Sequence, residues 1–170
     1  MGHWIRENFS FQDLQRIMFR LIERVELFNG MTQQELLGLL ESSEKCTFEA
    51  GETIVREGGT GSFLYVIIEG QVSVMKASKA RTGSTEKSGT ELARLEASDT
   101  FGEVSLVDHR ERSASVIAIE PCVLLRMSES ECWKNPPVSA KIYRNLARIM
   151  ASRLRDMDEA FVLAARPRLR

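Results

Sequence analysis

The chain has 170 residues, 43% hydrophobic and 28% charged, with a formal net charge of −1. That balance suits one compact globular domain with a helical extension. It argues against a protein whose main task is to coat nucleic acid, which needs a basic surplus. The three cysteines, Cys46, Cys122 and Cys132, show no CxxC spacing, which speaks against a disulfide framework or zinc site and for a reducing compartment.

The N-terminal stretch MGHWIRENFS lacks the apolar core of a signal peptide, and no apolar run approaches membrane-span length. A cytoplasmic protein is expected. In FQDLQRIMFRLIERVELF, Leu14, Ile17, Met18, Leu21, Ile22, Val25 and Phe28 mark one face of a helix. Ser10 and Asp13 supply a capping signal before it, and Gly30 ends it. MTQQELLGLLESS opens a second helix with Thr32 as cap and Glu35 completing a capping box.

From Lys45 the texture changes to short β-branched and aromatic runs broken by Gly51, Gly58, Gly59, Gly61 and Gly70. This is the pattern of an all-β sandwich or barrel. FLYVIIEGQVSVM reads as two strands around a tight Glu69-Gly70 turn, and KASKARTGSTEKSGTE as a mobile hairpin loop. LARL resumes a strand, ASDTFGE turns again, and SASVIAI and CVLLRMS close the β region. After Pro136-Pro137, a long helix carries Tyr143, Leu146, Met150, Leu154, Met157 and Phe161 in a near-heptad stripe. Such a stripe suits packing on the β domain or on a second copy of the chain. The short basic tail RPRLR reads as a solvated terminus. The expected division is 1–30 as an N-terminal helical segment, 31–135 as the β domain and 136–170 as the long helix and tail.

Catalytic chemistry has little to work with. The two histidines, His3 and His109, cannot build a histidine-rich metal cluster, no nucleophile elbow or P-loop is present, and His109 reads as a solvated loop side chain. The chain is not expected to be an enzyme or to hold a metal.

FGEVSLVDHRERSASV (101–116) is different. Phosphate recognition needs converging backbone N–H groups and a planar cation. Gly102 permits close backbone approach, Glu103 to Val107 can form one helical turn, and Arg112 offers a guanidinium fork. Ser113 and Ala114 add a hydroxyl and further N–H groups. Glu103 sits oddly beside an anion unless it meets a donor such as a ribose hydroxyl. On spacing alone, Glu103 and Arg112 could equally pair with each other across the loop.

FGEVSL followed by RSASV resembles the phosphate-binding cassette of the cyclic nucleotide-binding domain family. LFNGMTQQELLGLLE, FEAGETIVREGG and FLYVIIEGQVSV stand in that family's order, so the resemblance spans roughly residues 27–160. It implies an α+β fold, an antiparallel β jelly roll (double-stranded β-helix) flanked by N-terminal helices and a long C-terminal helix. It implies Glu103 as acceptor for the ribose 2′-hydroxyl and Arg112 as partner of the cyclic phosphate. Backbone N–H groups near Gly102, Val104, Ser105 and Ala114, with the Ser113 hydroxyl, would complete the cradle. Val74, Leu92 and Ala93 would line the base and sugar side.

The resemblance has two departures. Where the bacterial catabolite activator protein contacts the base with a Thr-Ser pair, this chain has Met157 and Asp158. Met157 could cover the purine, and Asp158 could accept from an adenine amino group but not from guanine O6, which favours cyclic AMP over cyclic GMP. Met157 as a seam residue and Asp158 as a solvated charge fit equally. The activator protein's long helix leads into a helix-turn-helix, for which these 170 residues leave no room. The expectation is a stand-alone cyclic nucleotide receptor that signals by helix movement to a protein partner or a second protomer, without DNA or membrane. The competing expectation is an interaction module of the same fold that binds no nucleotide.

Overall fold

The computed structural model describes residues 18, 19, 21–77 and 89–165, the side chains of 105 and 106 excepted. The capping signal at Ser10 and Asp13 and the hairpin loop between 78 and 88 lie outside the described residues.

The first helix leaves α geometry earlier than expected. Residues 21–24 are helical, Val25 is extended, and Glu26–Phe28 form a separate 3-10 turn. The tighter winding lets two consecutive side chains, Leu27 and Phe28, both be fully buried. Helix α1 (Gln33–Glu41) begins with the expected capping box. The Glu35 N–H donates to Thr32 Oγ1 at 3.2 Å, and the Thr32 N–H donates to Glu35 Oε2 at 2.7 Å.

Eight strands follow among the described residues: β1 (Glu44–Phe48), β2 (Thr53–Val55), β3 (Phe63–Glu69), β4 (Val72–Ala77), β5 (Gly89–Leu95), β6 (Thr100–Phe101), β7 (Ser115–Ala118) and β8 (Cys122–Ser128). They form two four-stranded sheets, β1-β8-β3-β6 and β2-β7-β4-β5. Every pairing is antiparallel. This is the jelly roll with N-terminal helices and a long C-terminal helix. Two details differ from the sequence expectation. β5 starts at Gly89 rather than at Leu92, because its register against β4 is carried by backbone pairing out to Ala77–Gly89. The ASDTFGE turn contains β6, whose Tyr65–Phe101 and Val66–Thr100 pairs attach it to β3.

The sheet β1-β8-β3-β6 is covered on both faces, which explains the unbroken apolar run of β3. Tyr65 and Ile67 point between the sheets, where they meet Phe101, Val116 and Leu124. Leu64 and Val66 point the other way, into a cluster with Leu27, Phe28, Leu36, Ile142 and Leu146 of the helices. At the β3–β4 turn, Gly70 has φ +91, and a Cβ there would lie 2.5 Å from the Pro121 carbonyl oxygen. Only glycine fits that turn without strain.

After β8, a short helix that the sequence reading missed spans Glu129–Trp133, with Ser128 as its cap. The long helix runs from Pro136 to Ala165, starting on the first proline, a residue tolerated at a helix's opening position. Among the described residues, the helices that follow the first helical stretch are, in chain order, α1, α2 (Glu103–Asp108, between β6 and β7), α3 (Glu129–Trp133) and α4 (Pro136–Ala165).

The two halves of α4 behave differently. Val138, Ile142, Asn145, Leu146 and Ile149 are buried against the N-terminal helices. Asn145 is fully buried, and its Nδ2 donates to the carbonyls of Leu27 (2.8 Å) and Asn29 (2.9 Å). Lys141 Nζ pairs with Glu35 Oε2 at 2.6 Å. Beyond Ile149, the near-heptad stripe is open: Leu154, Met157 and Phe161 are 59%, 68% and 74% exposed. No helix among the described residues is long and apolar enough to cross a membrane.

Candidate binding site

β6 delivers the chain to Gly102, which takes the left-handed conformation (φ 87) and starts α2. A Cβ on Gly102 would stand 2.6 Å from the Phe63 carbonyl oxygen and 2.8 Å from an Arg112 guanidinium nitrogen. The residue is therefore small because two functional groups pass against it. Glu103 opens α2 and is 4% exposed.

Arg112 reaches back to the same point. It is 7% exposed, and it donates through NH1 to the Gly102 carbonyl (3.0 Å) and through NH2 to the Phe63 carbonyl (2.9 Å). These bonds fix the plane of the guanidinium fork. Burial pulls its pKa below the usual value, while the nearby Glu103 carboxylate acts in the opposite sense.

Glu103 pairs with Arg153 of α4, whose NH1 donates to Glu103 Oε1 and whose NH2 donates to the Thr100 carbonyl. Sequence reading did not single out Arg153, which lines the same cavity as Glu103. Two guanidiniums against one carboxylate make the local lining net cationic, which removes the difficulty of an acid beside an anion site.

Gly102, Glu103, Val104, Arg112, Ser113, Ala114, Val74, Ala93 and Arg153 surround a cavity of about 150 Å³. An adjoining groove of about 510 Å³ lies between β5 and α4, and it shares Ala93, Leu95 and Arg153 with the cavity. Leu92 and Met157 line this groove rather than the cavity itself. Ser105 lies within α2, and its side chain is outside the described residues. Asp158 lines neither space and is exposed, so it is not positioned to read a base in this conformation. Its place on α4 points it to solvent, which removes the Asp158 basis for favouring adenine. His109 caps the end of α2 and stands 3.6 Å from Glu129, away from the cavity lining. Among the described residues, no group of three or more His, Cys, Asp or Glu side chains is placed to hold a metal ion.

A buried acid opens a glycine-started helical turn, and a buried arginine folds back against that same glycine, inside a jelly roll; this is the arrangement expected of a cyclic nucleotide-binding domain. The chain belongs to that family: residues 45–134, more than half of its length, match the cyclic nucleotide-binding domain model. It is 31% identical over 132 residues to the cyclic AMP receptor protein of Thermus thermophilus, covering 78% of this chain and 58% of that relative. The fold superposes on the crystal structure of the Thermus thermophilus catabolite activator protein with a TM-score of 0.69 at 29% identity, covering 82% of this chain and 63% of that one. A cyclic nucleotide-binding domain from Methylobacillus flagellatus gives a TM-score of 0.75 at 22% identity, over 91% of this chain and 88% of that one. The chain spans 58% of the length of that receptor protein, less than two thirds of it.

Proposed function

We propose that this chain is a cyclic AMP receptor module that regulates rather than catalyses. The cyclic phosphate would lie against Arg112, the N–H groups of the Gly102–Ser105 turn and the Ser113–Ala114 arm. Glu103 would accept from the ribose 2′-hydroxyl. The base would extend past Val74 and Ala93 into the groove between β5 and α4, beside Leu92 and Met157. The observation that carries this reading is the burial of Arg112 at 7% exposure with its fork fixed on two carbonyls beside Gly102. A buried, pre-oriented guanidinium is suited to a phosphate and costly to maintain without a purpose.

Cyclic AMP is favoured over cyclic GMP because a relative 31% identical to this chain is a cyclic AMP receptor protein. Signal output would pass through the exposed second half of α4 to a protein partner or a second protomer. The net charge of −1 supports a protein rather than DNA as the downstream contact, and a cytoplasmic location fits the free cysteines.

Calorimetry with cyclic AMP tests the site. Arg112→Ala is expected to weaken binding by about a hundredfold or more. Undiminished affinity in that variant would sink the assignment. A second reading, an interaction module that binds no nucleotide, is favoured by one observation: Glu103 already has a partner in Arg153. A thermal-shift comparison with cyclic AMP, cyclic GMP and no ligand separates the two. The absence of any shift at millimolar nucleotide would select the interaction module.

A further inference from the structure

The arm that carries Arg112, Ser113 and Ala114 stands outside the sheet ladder, since β7 begins only at Ser115. Other bonds must therefore hold it. On one edge, the Gly58 N–H donates to the Arg112 carbonyl and the Arg112 N–H donates to the Gly59 carbonyl, both at 2.9 Å. The neighbouring Glu57 N–H donates to Ser115 Oγ at 3.0 Å. On the other edge, the β4–β7 ladder ends at Met75–Ser115. There the next residue of β4 takes over through its side chain: Lys76 Nζ donates to the Ser113 carbonyl.

Lys76 is itself held. Its ammonium pairs with Glu57 Oε1 at 2.8 Å, and Glu57 Oε2 accepts from the Ala77 N–H at 2.8 Å. The Ala77 N–H first, then Lys76, hold the Glu57 carboxyl below the usual range, so it stays ionised at neutral pH. The result is a closed circuit in which Glu57 grips β4 by side chain and Ser115 by backbone, while Lys76 grips the arm between them. Neither Glu57 nor Lys76 lines the cavity.

We infer that Glu57 and Lys76 are positioning residues of the phosphate subsite: an ion-paired clip outside the cavity lining that sets the Ser113–Ala114 arm at the distance at which it can share a cyclic phosphate with Arg112. The inference rests on the cyclic nucleotide reading of the cavity. Without the clip, the arm keeps its Gly58–Gly59 edge but swings on the other, and the anion loses the ordered donors of Ser113 and Ala114. Both clip residues are partly exposed, with side chains 48% (Lys76) and 24% (Glu57) accessible, so their replacement leaves the core packing intact.

The experiment uses the full chain as Lys76→Met, Glu57→Gln, the double variant and Lys76→Arg. Amide hydrogen exchange and cyclic AMP calorimetry are run on each, with adenosine as a second titrant that lacks the phosphate. Lys76→Met and Glu57→Gln are expected to accelerate exchange at Ala77, Gly58 and Arg112 by about tenfold while the β3–β8 ladder is unchanged. Each is expected to weaken cyclic AMP by about three- to tenfold and to leave adenosine unaffected. The double variant should be no weaker than the weaker single, since the two act as one unit, and Lys76→Arg should recover most of the affinity. Wild-type-like cyclic AMP binding by Lys76→Met overturns the clip alone. So does an affinity loss that extends to adenosine or is matched by faster exchange throughout the chain. Failure of the wild-type protein to bind cyclic AMP at all overturns the reading of the cavity, and the ligand role of the clip falls with it.

Discussion

Arg153 on the long helix holds Glu103 at the start of α2, across a sequence separation of 50 residues. The carboxylate is nearly inaccessible while the guanidinium is about one third exposed. One ion pair thus joins the floor of the cavity to the element proposed to carry its signal. A ribose hydroxyl entering the cavity would meet Glu103 already engaged, so ligand and helix compete for, or share, one acceptor.

Arg153→Met strands that carboxylate. Loss of the partner of a largely buried charge is expected to cost about 1–3 kcal/mol, below the figure for a fully buried pair because Arg153 is partly solvated. Glu103→Gln combined with Arg153→Met should cost less than the two singles added together. Urea denaturation of the four proteins measures the coupling, and strict additivity would show that the pair contributes no joint stability.

Gly102→Ala and Gly51→Ala make a matched test of the cassette turn. Both glycines have φ 87, but a Cβ meets nothing within 4 Å at Gly51 and two functional groups at Gly102. Gly51→Ala is expected to cost about 1 kcal/mol of backbone strain alone. Gly102→Ala should cost about 1–3 kcal/mol more, because the Phe63 carbonyl or the Arg112 fork must move. Equal melting temperatures for the two variants would contradict the crowding at Gly102.

Asn145→Leu removes a buried amide that serves two carbonyls, those of Leu27 and Asn29. The Asn29 carbonyl keeps a donor in Arg144 NH2 at 3.1 Å, so the Leu27 carbonyl is the acceptor left dry, which predicts a loss of about 1–3 kcal/mol despite the added hydrophobicity. Denaturant titration reads it directly. A neutral or stabilising outcome would mean that water reaches the Leu27 carbonyl.

Glu35 links the α1 capping box to α4. The Lys141 hydrogen bond is the largest influence lowering its pKa, followed by the Thr32 N–H. A carboxyl whose folded pKa is depressed contributes stability above its unfolded pKa, and that contribution disappears as pH falls through the folded value. Wild type is therefore expected to exceed Glu35→Gln in stability at neutral pH. The gap should close on acidification below the ordinary carboxylate range. Melting curves from pH 7 to pH 3 test this, and a gap that persists at pH 3 would assign the effect to something other than the charge.

The parts of the molecule legible in sequence are those set by near neighbours. The Thr32–Glu35 box is a contact three residues long, and the Glu69-Gly70 turn follows from one glycine between two apolar runs. Glu103 and Arg112 were visible because a short stretch carries both. Arg153 was not: in IYRNLARIMASRLRD it is one arginine among several, and its role comes from a helix crossing that no local pattern encodes. Helix α3 was hidden differently. Its SESE signal was present, with Ser128 accepting from the Glu131 N–H at 3.3 Å, but Ser128 also ends a strand whose alternation continues smoothly up to it. The separation of Leu92, Met157 and Asp158 from the inner cavity likewise depends on how α4 lies over β5.

With its first half bolted and its second half open, α4 would pivot near Ile149 in the proposed signalling movement. From there to Ala165 the helix extends about 24 Å at 1.5 Å per residue. Rotation through about 10° at the fulcrum would sweep the far end by about 4 Å, while Arg153, only one turn out, shifts by about 1 Å. A displacement at Glu103 too small to disturb the jelly roll would thus reach Phe161 several times magnified. The stiffness of an uninterrupted helix would supply the gain.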